Sequence, residues 1–312
     1  MVAASGNPIA LGIDIGGTRI KAIALECPDQ VIGQYEGPSD ADISPEAVRK
    51  AIGLAVQYFY GKGLTPFCIG VGCAGSVTPD SGVVRNSPNF SNWLNVPLKD
   101  WISQDYHLPT TVDNDANCAA FSEWKIGNGK GSQNMVLLTL GTGVGGGVII
   151  QRQLYKGSTG TGAELGHFSI YANGKKCPCG NSGCFERYCS ASALREAAGG
   201  KFSAREIFMQ AGKEPFPAII ERFLADFKVG LTSLANVFDP DCIVIGGGVA
   251  KGVAVYFDEI KGWLKSHAFP SVGKNVRLEV TKFGNLSGAI GAALLAAQAH
   301  SLMNEGSHSV PT

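Results

Sequence analysis

Four residues able to bind a metal lie close together in the chain: His167, Cys177, Cys179 and Cys184, in a segment punctuated by glycines. Three thiolates and one imidazole suit tetrahedral zinc, and four protein ligands make a closed, structural site. The spacing is not that of a standard zinc finger, so free thiols are the alternative. Cys189 is a fifth candidate, for which we expect a place in the core. The segment therefore predicts a structural zinc site.

Two carboxylates accompany this cluster. Glu164 stands three residues before His167, and Glu186 stands two residues after Cys184. Because a bound zinc would hold the segment together, both carboxylates and the imidazole would lie in one place. Carboxylates bind sugar hydroxyls through charge-assisted hydrogen bonds. The alternative is that both are solvated surface charges, but their closeness to the cluster favours a binding role.

Two glycine-rich turns have the composition of phosphate sites. They are D-I-G-G-T-R-I-K at residues 14–21 and L-G-T-G-V-G-G-G at residues 140–147. Glycines let backbone amides approach an anion closely, and the hydroxyls of Thr18 and Thr142 are further donors. Asp14, at the end of the first strand, could hold Mg²⁺ through water. The alternative is a pair of tight hairpins in which the glycines only relieve backbone strain.

Other nucleotide-binding motifs fit less well. The spacing of Gly141, Gly143 and Gly146 matches G-x-G-x-x-G, but the following residues 148–150 continue as a strand, where a dinucleotide-binding motif requires a helix. The P-loop pattern G-x-x-x-x-G-K-[S/T] does not occur in the sequence. A third glycine turn, I-V-I-G-G-G-V-A at residues 243–250, follows a strand. It could pass close to an adenine, or be a strand-to-helix connection.

The elements that must position these residues are a mixture of strands and helices. Apolar runs at 9–15 and 18–25 joined by Gly-Gly predict a β-hairpin, and runs at 136–140 and 145–150 predict a second. This recurrence is compatible with an internal duplication. A helix at 116–125 would be capped by Asn114 or Asp115. Such a mixture indicates an α/β architecture. Further strands are predicted at 32–37, 67–71, 110–112 and 242–245, and further helices at 45–60, 97–104, 191–198, 204–209, 217–237 and 289–299.

Length and composition narrow the class of protein. The 312 residues suggest about two domains. The 26 basic and 26 acidic side chains balance, so no global field attracts nucleic acid or an anionic membrane. We find no secretory signal and no apolar run of about 18 residues that would span a membrane. Nine cysteines, clustered in part, then favour metal binding over disulfides. We expect a cytoplasmic protein.

Six motifs, in this order along the chain, resemble the ROK family of sugar kinases and sugar-responsive repressors. They are D-I-G-G-T-R-I-K, V-D-N-D-A-N, L-G-T-G-V-G-G-G, E-L-G-H, C-P-C-G-N-S-G-C-F-E and I-V-I-G-G-G-V-A, and the match runs from about residue 9 to about 297. The resemblance implies an actin-like ATPase (ribonuclease H-like) fold, in which two α/β domains flank a cleft. One domain would hold residues 1–113 and about 288–312, and the other 114–287 with the zinc loop 164–189.

The resemblance also implies roles for individual residues. Asp115 of N-D-A-N would be the catalytic base, although Asp113, where the family often has a glutamate, must be told apart from it. C-A-G at 73–75 is a second departure, since a proline often precedes this glycine. The implied sugar ligands are Gly75, Asn89, Asn114, Asp115, Glu164, His167 and Glu186. The implied ATP and Mg²⁺ contacts are Asp14, Gly16, Gly17, Thr18, Lys21, Gly141, Thr142, Gly143 and Gly247, and the zinc ligands are His167, Cys177, Cys179 and Cys184.

The expected activity is that of a glucokinase-like ATP:hexose phosphotransferase acting on the primary 6-hydroxyl, with glucose as the default sugar. N-acetylmannosamine, N-acetylglucosamine, fructose, mannose and allose are alternative substrates, and polyphosphate is an alternative donor. A non-catalytic sugar sensor is an alternative of another class. Repressors of the family carry an additional DNA-binding segment, for which the first strand near residue 9 leaves no room. We therefore expect ATP, Mg²⁺, structural Zn²⁺ and a sugar as ligands, no nucleic acid or membrane partner, and a homodimer.

Overall fold

The computed structural model describes residues 7–87, 90 and 92–306, and side chains as far as residue 301. The chain forms two compact units. Unit 1 contains the chain up to Ser122, the segment Lys156–Gly162 and the chain from Leu286 onward; unit 2 contains Glu123–Tyr155 and Ala163–Asn285. The predicted first boundary, at residue 113, thus falls before the first unit ends. Residues 115–122 remain with unit 1 because they pack on its last helix, where Gly291 leaves space for the Cys118 carbonyl.

Unit 1 contains a five-stranded mixed sheet in the order β3-β2-β1-β4-β8. Strands β1, β2 and β3 are antiparallel, whereas β1, β4 and β8 are parallel. A three-stranded sheet, β5-β6-β7, which the sequence did not predict, lies in the same unit. The strands are β1 (Ile9–Ile15), β2 (Arg19–Glu26), β3 (Gln30–Pro38), β4 (Cys68–Cys73), β5 (Ser76–Val77), β6 (Val84–Asn86), β7 (Leu94–Val96) and β8 (Thr110–Asn114). The helices are α1 (Pro45–Gly61), α2 (Leu98–Tyr106), α3 (Asp115–Lys125), whose residues from Glu123 onward belong to unit 2, and α10 (Ser287–Gly306).

Helix α1 shows how local signals build this unit. Ser44 caps it by accepting a hydrogen bond from the Ala47 N–H at 3.2 Å, and Pro45 occupies its first turn. Its apolar residues recur at helical spacing and are buried against the sheet. The predicted helix at 45–60 is therefore confirmed.

Helix α10 lies unusually close to strands β1 and β4. A Cβ at Gly12 would lie 1.9 Å from the Ala289 carbonyl oxygen, and one at Gly70 would lie 1.8 Å from that of Ala292. Neither strand position can therefore carry a side chain. The alanine-rich helix fits this space because its small side chains are buried against the strands.

Unit 2 repeats the arrangement of the main sheet of unit 1. Its order is β11-β10-β9-β12-β13, with an antiparallel hairpin β9–β10 and parallel neighbours β9, β12 and β13. The same order in both sheets supports the predicted duplication. The strands are β9 (Met135–Leu140), β10 (Val144–Ile150), β11 (Gln153–Leu154), β12 (Cys242–Gly246) and β13 (Arg277–Val280). The helices are α4 (Glu186–Cys189), α5 (Ala191–Ala197), α6 (Ala204–Met209), α7 (Phe216–Phe238), α8 (Ala250–Ala254) and α9 (Phe257–His267), followed by a 3₁₀ turn at Gly284–Leu286.

The core of unit 2 contains a column of aromatic rings. Phe185 stacks on Phe227 of α7 with 6.0 Å between ring centroids, and Phe227 stacks on Phe223 at 5.9 Å. Cys189 is fully buried in the same core, as predicted. Among the helices of the described residues, none is long and apolar enough to cross a membrane.

Candidate functional site

In unit 1, two polar residues lie where β8 passes into α3. Asn114 is the last residue of the strand, and Asp115 is the first residue of the helix. The Asn114 Oδ1 accepts hydrogen bonds from the Ala116 N–H at 2.9 Å and the Asn117 N–H at 3.2 Å, so Asn114 is the cap of α3. Its Nδ2 donates to the Gly75 carbonyl at 3.2 Å. Two of the predicted sugar ligands, Gly75 and Asn114, are thus in contact.

The two aspartates of the motif have different environments. Asp113 is buried; its Oδ1 accepts from the Asn114 N–H at 2.8 Å and from the Asn117 Nδ2 at 3.0 Å, and its Oδ2 lies 2.6 Å from the Lys156 Nζ. Asp115 is half-buried and accepts a bond from the Ala116 N–H at 2.9 Å. Burial raises the pKa of the Asp115 carboxyl above its usual value. Asp113 is thus engaged in holding the turn, and Asp115 is the more exposed carboxyl of the pair.

Asp14 lies at the end of β1, opposite Lys21 of β2. Burial and the negative charge of Asp115 raise the pKa of Asp14 to about 7, although Lys21 opposes this shift. A carboxylate with so little compensating charge suits a divalent cation, and its hard oxygen atoms are the ligands that Mg²⁺ prefers. The adjoining turn is open, with Gly17 and Thr18 exposed to solvent. Asp14, Gly16, Gly17, Thr18 and Lys21 are therefore grouped at one hairpin.

In unit 2, the second glycine turn lies at the end of the β9–β10 hairpin. The Gly141 N–H donates to the Gly143 carbonyl at 2.9 Å, and Thr142 between them is exposed. Gly247 packs on the end of β9, since a Cβ there would lie 2.3 Å from the Leu140 carbonyl oxygen. The predicted nucleotide contacts of unit 2 therefore share one end of its sheet.

The predicted zinc ligands are brought together. Their ligand atoms all lie within 4.8 Å of one another. The Sγ atoms of Cys179 and Cys184 are 3.7 Å apart, and Cys177 Sγ is 3.7 Å from His167 Nδ1. A tetrahedral ion with Zn–S bonds of about 2.3 Å separates its ligand atoms by roughly 3.6–3.8 Å, so the residues fit zinc. Because Nδ1 faces the cysteines, the imidazole keeps Nε2 for a different partner.

Backbone pairing holds the sugar-binding candidates of this loop side by side. The Phe185 N–H donates to the Phe168 carbonyl, and the Glu186 N–H donates to the Gly166 carbonyl, both at 2.9 Å. The His167 N–H donates to the Glu164 carbonyl at 3.0 Å. The E-L-G-H and C-F-E motifs are thus neighbours, with Glu164 exposed and Glu186 half-buried.

Sequence reasoning missed a contact that links the two motifs of unit 2. The Glu186 Oε2 accepts a hydrogen bond from the Val144 N–H at 2.9 Å. It also fills the space beside Gly143, where a Cβ would lie 2.2 Å from the same oxygen. The carboxylate predicted to bind sugar is therefore fixed against the turn predicted to bind phosphate.

A second missed group attaches the zinc loop to α7. The Tyr171 hydroxyl donates to the buried Asp226 Oδ1 at 2.5 Å, and the Arg222 Nη2 donates to the same hydroxyl at 2.9 Å. Arg222 and Asp226 are an i,i+4 pair on α7, but Tyr171 lies 51 and 55 residues before them and matches no motif, so no local signal could have added it to the pair. The remaining predicted ligand, Asn89, lies outside the described residues.

Comparison with known proteins identifies the relationship. The ROK family profile matches residues 10–299. The chain belongs to the ROK family. A glucokinase of Streptomyces coelicolor is 33% identical over 322 aligned positions, covering 95% of this chain and 99% of the relative. An N-acetylmannosamine kinase of Shigella boydii is 31% identical, with 92% and 97% of the two chains covered.

Solved structures of this ROK protein's relatives agree with it throughout the chain. The crystal structure of a ROK family glucokinase from Streptomyces griseus, in complex with glucose and AMPPNP, is 30% identical and superposes with a TM-score of 0.77. The alignment covers 93% of this chain and 99% of that one. The predicted α/β actin-like ATPase fold of two domains is thereby confirmed, as is the predicted class of enzyme, a ROK sugar kinase.

Proposed function

We propose that this ROK protein is an ATP-dependent hexose kinase that phosphorylates the primary 6-hydroxyl of glucose. The observation that carries the proposal is the state of Asp115. Its carboxyl is half-buried at the first turn of α3 and its pKa is raised, whereas the neighbouring Asp113 is engaged by Lys156 and Asn117. The resemblance in sequence to a glucokinase over 95% of the chain supports glucose as the sugar.

In this proposal Asp115 accepts the proton of the sugar hydroxyl as the oxygen attacks the γ-phosphorus in line, while the bond from that phosphorus to the β,γ-bridging oxygen breaks and ADP leaves. The raised pKa makes the carboxylate a stronger base than a solvated aspartate. Asn114 and Gly75, which are hydrogen-bonded to each other, bind adjacent sugar hydroxyls together with Asn89. Phosphoryl transfer has a loose transition state, so holding the reactants in line accounts for much of the rate.

The two glycine turns bind the nucleotide in this proposal. Backbone amides and hydroxyls at Gly16, Gly17 and Thr18, and at Gly141, Thr142 and Gly143, donate to its phosphates, and Gly247 lies beside its nucleoside. Asp14 would hold Mg²⁺, and Lys21 would bind a phosphate. When bound, Mg²⁺ neutralises charge that develops on the phosphates. The low charge compensation around Asp14 supports this assignment.

Zinc has a structural role in this proposal. Bound by His167, Cys177, Cys179 and Cys184, it would fix the loop that presents Glu164, Glu186 and the Nε2 of His167 to sugar hydroxyls. The tetrahedral spacing of the four ligand atoms supports zinc. We further propose a homodimer in the cytoplasm, in line with the family resemblance.

The test is ADP release by the purified protein with Mg²⁺·ATP and a panel of hexoses and N-acetylhexosamines. We expect turnover with glucose. Turnover with N-acetylmannosamine instead would move the specificity toward the other kinase relative, and folded protein that no sugar stimulates would leave a sugar sensor.

The base is tested by replacing Asp115 with Asn. We expect kcat to fall by about 10²- to 10⁴-fold, while calorimetric binding of glucose and ATP persists. The matched control is Asp105→Asn, which removes an exposed carboxylate paired with Arg49 in the same unit and should leave kcat unchanged. Near-normal turnover of the Asp115 variant would assign the base elsewhere, with Asp113 next.

A further inference from the structure

A short segment of the chain belongs to unit 1 although its neighbours in sequence belong to unit 2. It is Lys156–Gly162, which we call the return segment. Its ends are joined by a hydrogen bond from the Gly162 N–H to the Lys156 carbonyl at 2.9 Å. Its middle is attached to unit 1, since the Arg85 Nη2 donates to the Thr159 carbonyl at 2.8 Å. The segment is thus placed by contacts and does not merely connect β11 to the zinc loop.

The first residue of the return segment, Lys156, forms an ion pair with a buried aspartate of unit 1. The Lys156 Nζ lies 2.6 Å from the Asp113 Oδ2; the aspartate side chain is 6% exposed and the lysine side chain 37%. A buried carboxylate without a cation is strongly disfavoured, because its lost hydration must be replaced. The ammonium group of Lys156, which is itself partly exposed to solvent, replaces the lost hydration of Asp113.

Asp113 in turn holds the backbone turn between β8 and α3, where Asp115 lies. Its Oδ1 holds both the Asn114 N–H and the side chain of Asn117. Asn114 and Asn117 flank Asp115 and Ala116 in the sequence. The direction of the Asp115 carboxyl therefore depends on the turn that Asp113 holds. A proton or a displaced side chain at Asp113 would loosen this turn.

Further carboxylates near Asp113 increase the need for the positive charge of Lys156. Burial raises the pKa of the Cys118 thiol well above its usual range; the charges of Asp113, Asp14 and Asp115 raise it further, and Lys156 lowers it. The negative charges of three carboxylates are therefore felt at the Cys118 thiol in unit 1. Lys21 stands beside Asp14, and Lys156 stands beside Asp113.

We propose that Lys156 is a positioning residue for phosphoryl transfer, which neutralises Asp113 so that Asp113 can hold the Asn114–Asn117 turn and aim Asp115. The proposal rests on the proposed kinase function, with Asp115 as the base. Lys156 acts through Asp113 and makes no contact with substrate in this scheme.

The test is a double-mutant cycle on Lys156→Met and Asp113→Asn, with kinetics measured on folded protein. We expect Lys156→Met to lower kcat by about tenfold or more, and to change each KM less than about threefold. Lys156→Arg, which keeps the cation, should recover kcat to within about threefold of wild type. In the Asp113→Asn background the lysine change should cost less than about twofold, because no carboxylate is left to neutralise.

The matched control is Lys228→Met in unit 2. Lys228 also pairs with a carboxylate, that of Glu259 at 2.8 Å, and is also partly buried. Because Glu259 is half-exposed, whereas Asp113 is buried, Lys228→Met should lose less thermal stability than Lys156→Met and should retain the kcat of wild type. Should Lys156→Met fail to fold, the comparison of Asp113→Asn with the double variant still tests the proposal. Neither variant leaves the Asp113 carboxylate buried without its cation, and the proposal requires the two to differ in kcat by less than about twofold.

Two results would overturn the proposal. Folded Lys156→Met with kcat within threefold of wild type would show that the ion pair does not position the base. An equal loss in both backgrounds would show that Lys156 acts on substrate directly. Wild-type protein that phosphorylates no sugar would instead refute the kinase function, and with it the role of Lys156.

Discussion

The contact between Glu186 and the second glycine turn makes Gly143→Ala an informative substitution. The new Cβ would lie 2.2 Å from the Glu186 Oε2, which accepts the Val144 N–H at 2.9 Å. The carboxylate is the flexible end of a side chain, so it would move away and the hydrogen bond would be lost. The variant therefore displaces a proposed sugar ligand without altering that ligand itself.

The size of the effect follows from the bond that is lost. A hydrogen bond to a charged group contributes about 1.5–3 kcal/mol, and each 1.4 kcal/mol corresponds to about a factor of ten. We expect kcat/KM for the sugar to fall by about ten- to a hundredfold at saturating ATP. The free energy of unfolding should fall by about 0.5–2.6 kcal/mol, because replacing glycine by alanine restricts the unfolded chain and offsets only about 0.4–1 kcal/mol of the lost bond.

Two comparisons isolate the cause. A Cβ at Gly141, in the same turn, meets no atom within 4 Å, so Gly141→Ala should leave the KM for the sugar within about threefold of wild type. In a Glu186→Ala background, Gly143→Ala should cost less than about twofold more, because no carboxylate remains to be displaced. A folded Gly143→Ala protein with an unchanged kcat/KM for the sugar would refute the reasoning.

Two further predictions concern charge and metal. The folded-state pKa of Asp14, about 7, lies above its ordinary value of 3.8, so stability is lost as pH rises between these values. Asp14→Asn should abolish activity yet raise the free energy of unfolding at pH 8 by up to about 4 kcal/mol, with no gain at pH 3, as denaturant titrations at both pH values would show. Cys179→Ser should remove zinc and lower Tm by several degrees, because metal binding contributes to folding, whereas Cys27→Ser should retain one zinc per chain by mass spectrometry. Full zinc content in the Cys179 variant would contradict the ligand set.

Local signals explain why much of the molecule could be predicted from sequence. The Gly-Gly turn after Ile15, the helical spacing after Ser44 and the cap at Asn114 each act over a few residues, and the structure contains the expected hairpin and helices. The zinc ligands could equally be predicted from the sequence, because one short loop carries all four.

Contacts between distant segments could not be predicted in this way. Each strand of the β5-β6-β7 sheet has only two or three residues, too few for a periodic pattern. The bonds from Lys156 to Asp113 and from Glu186 to Val144 join side chains whose sequence surroundings give no hint of a partner. They exist because packing brings the segments together, and the ion pair of Lys156 distinguishes the structural Asp113 from the candidate base Asp115.

The close packing of α10 on β1 and β4 has a consequence for biosynthesis. Synthesis separates these strands from the helix that covers them, because Ser287, where α10 begins, follows Gly12 by 275 residues (287 − 12) and Gly70 by 217 residues (287 − 70). At about 5–20 residues per second, that interval is roughly 10–55 s. During it one apolar face of the sheet is without its cover, so the nascent chain offers a binding surface for chaperones that the finished protein no longer has.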